Sequence, residues 1–171
     1  MRAVFNFVLF QAVWLVSVTS IAAHENWRGL LLALAVAGLH LWQSRPDGRQ
    51  EALFMLAVAI AGTCLESAFI LGGVLIYADC GQPAFLPPLA ISGLWLAFGT
   101  LPRGSMVWLA GRPLVQAGLG AFAGPLSYYA GVQLGAASFA LPPQLAIAAM
   151  ALGLGLLMPG IFWLAKRIFG Q

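Results

Sequence analysis

Charge is what this chain has least of: of 171 residues only 8% are Asp, Glu, Lys or Arg, while 61% are hydrophobic. A soluble domain carries about a quarter of its residues as charges to keep its surface in water. With a mean hydropathy of +0.92, too little polar sequence remains to cover a folded core of this length, so the bilayer has to solvate the outer surface. Cysteine is equally scarce. Cys64 lies inside an apolar run and Cys80 in a loop beyond it, roughly 20 Å apart in depth at ~1.5 Å rise per helical residue, which argues against an internal disulfide. CxxC and zinc-type spacings are missing, as are GxSxG, P-loop, HExxH and paired-carboxylate motifs, so nothing supports catalysis or names a cofactor. His24, Glu25, Asp79 and Cys80 are four mixed residues on two loops without ligand spacing; they read as solvated loop residues, and no metal site is expected.

The eight basic residues give a net charge of +3, but they stand singly between apolar runs and form no patch for nucleic acid. Their placement fits the positive-inside rule instead. Apolar runs near 3–22, 27–43, 52–77, 86–109, 113–137 and 143–165 read as six helices, each able to cross a hydrocarbon core that needs about 20 residues, the second at the short end. The expected fold is all-α: one polytopic transmembrane domain over 1–171, a bundle of six transmembrane helices with both termini inside. That orientation puts Arg2, Arg45, Arg49, Arg112, Lys166 and Arg167 in the cytoplasm and only Arg28 outside, with Arg103 counted as intramembrane. The alternative for the first run is a secretory signal peptide ending near Ser20-Ile21-Ala22. Its length and its Asn6, Gln11 and Trp14 favour a retained helix.

A charge at bilayer depth costs at least ~2.5–3.5 kcal/mol, so ionisable residues inside apolar runs are candidates for function. Glu66 falls near the middle of the third run and Arg103 in the inner half of the fourth. If both helices are continuous the two can form an ion pair. Against that stand a protonated Glu66, an Arg103 that snorkels to phosphates, and a fourth span that ends at Leu101 with Pro102-Arg103-Gly104 as a cytoplasmic turn. Pro102, Pro125 and Pro159 each interrupt a span and should kink or unwind it. Gly120 and Gly124, and again Gly131 and Gly135, are four apart, giving two small faces for close helix approach. Ser127, Tyr128, Tyr129 and Gln133 stand between or beside them and need polar partners. Trp27, Trp42, Trp108 and Trp163 fall near helix ends as an aromatic belt, whereas Trp14 and Trp95 lie deeper.

The strings Asn6 to Trp14 (NFVLFQAVW), Leu94 to Leu109 (LWLAFGTLPRGSMVWL) and Gly124 to Ala136 (GPLSYYAGVQLGA) resemble a bacterial inner-membrane family of small multi-helix proteins grouped as a domain of unknown function. The resemblance runs over most of the chain. It implies an acidic residue in the third helix, matched by Glu66, and an inner-membrane location. The family's Asn-His-like string is replaced here by Pro102-Arg103-Gly104, which removes support for a shared role of Arg103. Proximity of family members to enzymes similar to cyclopropane-fatty-acid synthases points towards membrane lipid.

The reading that follows is a multi-pass inner-membrane protein that binds or moves a small hydrophobic or lipid-like molecule between helices three to six. Glu66 and Arg103 would orient its head group, and Ser127, Tyr128 and Gln133 would hydrogen-bond it. Two rivals stay open: an accessory or assembly subunit whose glycine faces dock a membrane-protein partner or a second copy, and a protein that modifies membrane lipids.

Overall fold

Helix starts in the second half of the chain are set by proline, which fixes φ and lacks the N–H that a first helical turn leaves unused. Pro113 opens α5 (Pro113–Gln133) and Pro143 opens α6 (Pro143–Phe169). Before them come α1 (Ala3–Ala22), α2 (Trp27–Gln43), α3 (Gly48–Leu71) and α4 (Leu89–Phe98). The computed structural model describes residues 3–44 and 47–170; Arg2 and Arg45, counted above for orientation, lie outside the described residues. Among the described residues six α-helices form, and α1, α3 and α6 are long and apolar enough to cross a membrane. Large apolar side chains such as Leu31, Ile60, Phe122, Leu152 and Leu156 stand exposed on helix surfaces, an arrangement that water penalises and lipid does not.

Two departures from the expected all-α bundle matter for the site. The third run does not stay helical to residue 77. Gly72 and Gly73, the latter at φ +66, end α3 at Leu71, and Leu75–Tyr77 becomes a strand, β1. It pairs antiparallel with β2 (Ala137–Phe139), Leu75 opposite Phe139 and Tyr77 opposite Ala137. The fourth run is helical for only ten residues, about 15 Å. Pro87-Pro88 delay its start, and after Phe98 the chain turns through Gly99 and Pro102 to a 3-10 turn at Val107–Leu109. That non-helical stretch is held by its own turn hydrogen bonds and by buried Asn6 of α1. The Asn6 amide donates to Thr100 Oγ1 at 2.9 Å, and its oxygen accepts from the Ser105 N–H and hydroxyl, each at 3.0 Å. Irregular backbone is tolerated at depth only where protein satisfies it in this way.

The prolines behave differently from the expected three interruptions. Pro102 lies in the turn after α4, whereas α5 and α6 remain helical through Pro125 and Pro159. The carbonyls deprived of a donor belong to the residues four earlier, Ala121 and Gly155, and these two abut across the α5–α6 contact. Gly120 and Gly124 belong to the same contact: a Cβ on either would strike Leu154. The first glycine face is therefore filled by α6. Gly135, at φ +83, lies past the end of α5, so the second glycine pair does not form a helical face.

Packing divides the helices into two groups. α4 packs on α1, α2 and α3, while α5 packs chiefly on α6; the groups meet where α6 lies along α3 and where β1 pairs with β2. Phe54 and Val58 of α3 with Ile161 and Ala165 of α6 form the core of that joint at one end, and Phe69, Leu75, Met150 and Leu154 form it at the other. Between α1 and α5 the wall stays open.

Candidate functional site

Glu66 lies five residues before the end of α3, not at its middle, because the helix stops at Leu71. Only 2% of it is exposed. Three neutral donors from three other elements converge on its carboxylate. Trp95 Nε1 of α4 donates to Oε1 at 3.0 Å, Tyr77 Oη of β1 donates to Oε2 at 2.8 Å, and Tyr128 Oη of α5 donates to Oε1. Each element owes its position to a local feature. Gly62, one helical turn before Glu66, leaves the space the Trp95 indole occupies; a Cβ there would lie 2.1 Å from Trp95 Cδ2. The β1–β2 pairing carries Tyr77 back over the end of α3. Phe69 meets the Tyr128 ring edge-on at 6.2 Å.

This cluster forms the polar floor of a cleft of about 560 Å³ between the two helix groups. Its walls are mostly apolar and aromatic: Phe7, Phe10 and Trp14 with Gln11 of α1 on one side, Ala123 and Ala130 with Ser127 of α5 on the other. Roughly this size is usual for sites that take small molecules, as is an apolar lining with a few convergent polar groups. Ser127 lines the cleft with its hydroxyl returned to Ala123 O of its own helix at 3.0 Å. Gln133, exposed at the end of α5, does not line it.

Arg103 is elsewhere. Its Nη1 donates to Glu51 Oε1 at 2.5 Å and its Nη2 stands 3.7 Å from Asp47 Oδ2, while the guanidinium lies 4.0 Å from the Phe169 ring centroid. Glu51 also meets His40 Nε2 at 3.2 Å. Fifteen residues, about 22 Å of helix, separate Glu51 from Glu66 along α3. The structure thus brings Glu66, Tyr128 and Ser127 to one cleft and assigns Arg103 to a separate ion cluster at the opposite end. Pro102 explains the difference: by ending the helical path after Phe98, it removes Arg103 from the row that Trp95 occupies.

Sequence reasoning reads His40 only as an interfacial histidine near the inner end of the second helix, and does not single out Glu51 or Tyr77. The first two had a readable signal. His40 is three residues before the end of α2 and Glu51 three after the start of α3, so an antiparallel hairpin sets them at one level. For Tyr77 the one signal was Gly72-Gly73, since hydrophobic periodicity does not reveal that the last residues of an apolar run leave the helix. The loops holding His24 and Cys80 do meet, through His24 Nδ1 with Asp79 O at 2.9 Å and Asn26 Nδ2 donating to Cys80 O at 3.4 Å. These contacts are to backbone and serve to dock the loops.

Neither a curated protein nor a solved structure matches the chain. Residues 3–160 match the family described as "Protein of unknown function (DUF2878)". That match spans both the Glu66 cleft and the Arg103 cluster, and the chain belongs to this family.

Proposed function

We propose that this chain is a multi-pass protein of the bacterial inner membrane that binds an amphipathic, lipid-like small molecule in the cleft between α1 and α5. The molecule's polar end sits at Glu66 and its tail lies along the aromatic wall of α1. The observation that carries this reading is a buried carboxylate, held by three convergent side chains, at the floor of an otherwise apolar cleft. A structural acid can be buried against one neighbour; recruiting donors from α4, α5 and β1 at the end of an open cleft sets a defined acceptor where a ligand can reach it. The lateral position suits a molecule that arrives from the bilayer. Both termini lie in the cytoplasm in this reading, which places the Glu66 end of the cleft towards the outer leaflet.

The reading is tested by native mass spectrometry of the chain extracted gently from membranes. A small molecule should remain bound to the wild type and be lost from Ala123→Trp, whose indole would fill the cleft from α5. A wild type that is empty, or that carries a stoichiometric protein partner in place of a small molecule, would replace ligand binding by the accessory-subunit role.

A further inference from the structure

Every side chain that touches the Glu66 carboxylate is a donor, and none carries a charge. A carboxylate offers about four lone-pair positions; three are filled, and one on Oε2 is left. Among the described residues Glu66 is the single acid of the cleft, and no Lys, Arg or His lines it. The ion pairs among the described residues lie elsewhere, at Glu25–Arg28 and around Arg103. An isolated buried carboxylate is costly unless a cation or a proton joins it. Among the described residues the chain supplies no such cation at this place.

The rest of the wall has the complementary property. Phe7, Phe10, Trp14, Trp95, Phe98 and Tyr128 present aromatic surface to the same space, and aromatic faces attract organic cations through the ring quadrupole, most strongly when water is excluded. An anionic head group would meet an acid and π-electron surface with no compensating base. A neutral one would leave the carboxylate unpaired. Resting on the cleft reading above, we infer that the ligand's polar end is an ammonium group, a primary amine or a quaternary nitrogen attached to an apolar tail. The ammonium stands against Glu66 and the aromatic wall and completes the charge balance of the cleft. Two sources share this chemistry: the head group of an amine-bearing phospholipid and a free amphipathic cation.

The test uses the full chain in dodecyl maltoside and needs no variant for its first readout. Decyltrimethylammonium, decyl glucoside and decyl sulfate share a tail and differ in charge, and binding is followed by native mass spectrometry and by tryptophan fluorescence. The ammonium probe should bind about tenfold tighter than the glucoside, as a charge pair with Glu66 added to a cation–aromatic contact provides, and the sulfate weakest. In Glu66→Gln the ammonium preference should fall to the smaller part that the aromatic wall alone supplies, while the glucoside still binds. If that variant does not fold, the wild-type ranking alone decides. A second arm offers phosphatidylethanolamine and phosphatidylglycerol. Selective retention of the former supports a lipid source, and ammonium binding without it supports a free cation. Equal binding of the three decyl probes, or preference for the sulfate, overturns the ammonium inference and leaves the cleft reading standing. Failure of every probe to bind, with Ala123→Trp indistinguishable from wild type, overturns both.

Discussion

Arg103 shows how one residue's role depends on where its helix stops. A linear reading puts it within reach of Glu66; the turn at Gly99–Pro102 hands it to Glu51, whose 2% exposure makes the pairing costly to break. Removing one partner of a buried ion pair costs on the order of 3 kcal/mol or more, because the remaining charge is left unpaired. Arg103→Met should therefore destabilise the protein by about that amount, reduced to the extent that His40 still meets Glu51. Adding Glu51→Gln should recover most of the loss, since the stranded charge is gone. Adding Glu66→Gln should recover none. Unfolding in sodium dodecyl sulfate, followed by circular dichroism, measures the cycle, and rescue by Glu66→Gln in place of Glu51→Gln would restore the pairing that continuity of the fourth helix implied. That Glu66 was buried could be seen in the sequence; that Glu51, just outside the third apolar run, was buried too could not. Which acid met which base could not be seen either, because that depends on depth, and depth on the ends of α3 and α4.

At the level of elements, the ends of α1 and α2 and the starts of α5 and α6 fall where the apolar runs and the prolines put them. The boundaries misplaced at the two strands share a cause. Leu75–Tyr77 and Ala137–Phe139 are too short to show an alternating pattern, and apolar residues continue through them from the preceding helix, so periodicity cannot separate strand from helix there. Gly72-Gly73 and Gly135 were the available signals of a break. The α3–α4 contact had no such signal, since Gly62 looks like any helical glycine until Trp95 is seen against it. Two effects compete there. Alanine is the better helix former by about 1 kcal/mol, but its methyl would overlap an indole that has Glu66 on its far side. Overpacking typically costs 1–3 kcal/mol, and the Trp95 N–H bond to Glu66 would be lost with it. Gly62→Ala should thus be net destabilising by about 1–3 kcal/mol, with a shift in tryptophan emission as Trp95 moves. A variant as stable as wild type with unchanged emission would mean that Trp95 is not held against α3 in the bilayer.

For the molecule as a whole, the consequence that reaches function is which leaflet the Glu66 floor faces, and Cys80 reports it. Tyr77 is three residues before Cys80 in the same connection, so the loop and the polar floor share one end of the protein, while Glu51 and Arg103 mark the other. In the orientation proposed above from the uneven placement of Lys and Arg, the Cys80 end faces outside. Cys80 should then react in intact cells with a membrane-impermeant thiol reagent. Cys64, exposed on α3 between Gly62 and Glu66, would face lipid in that reading and should not. The rate carries its own signature. Partial burial, and then the charge of Asp79, hold the Cys80 thiol above its ordinary pKa, so less thiolate is present at neutral pH than in a free thiol. Labelling should be slow at pH 7 and climb past the range where an unperturbed cysteine levels off. Asp79→Asn should speed it at neutral pH by removing the smaller of the two causes, leaving the burial term in place. Labelling only after the membrane is opened would invert the protein and carry the ammonium site to the cytoplasmic leaflet, whereas labelling from outside leaves the cleft to draw its ligand from the outer one.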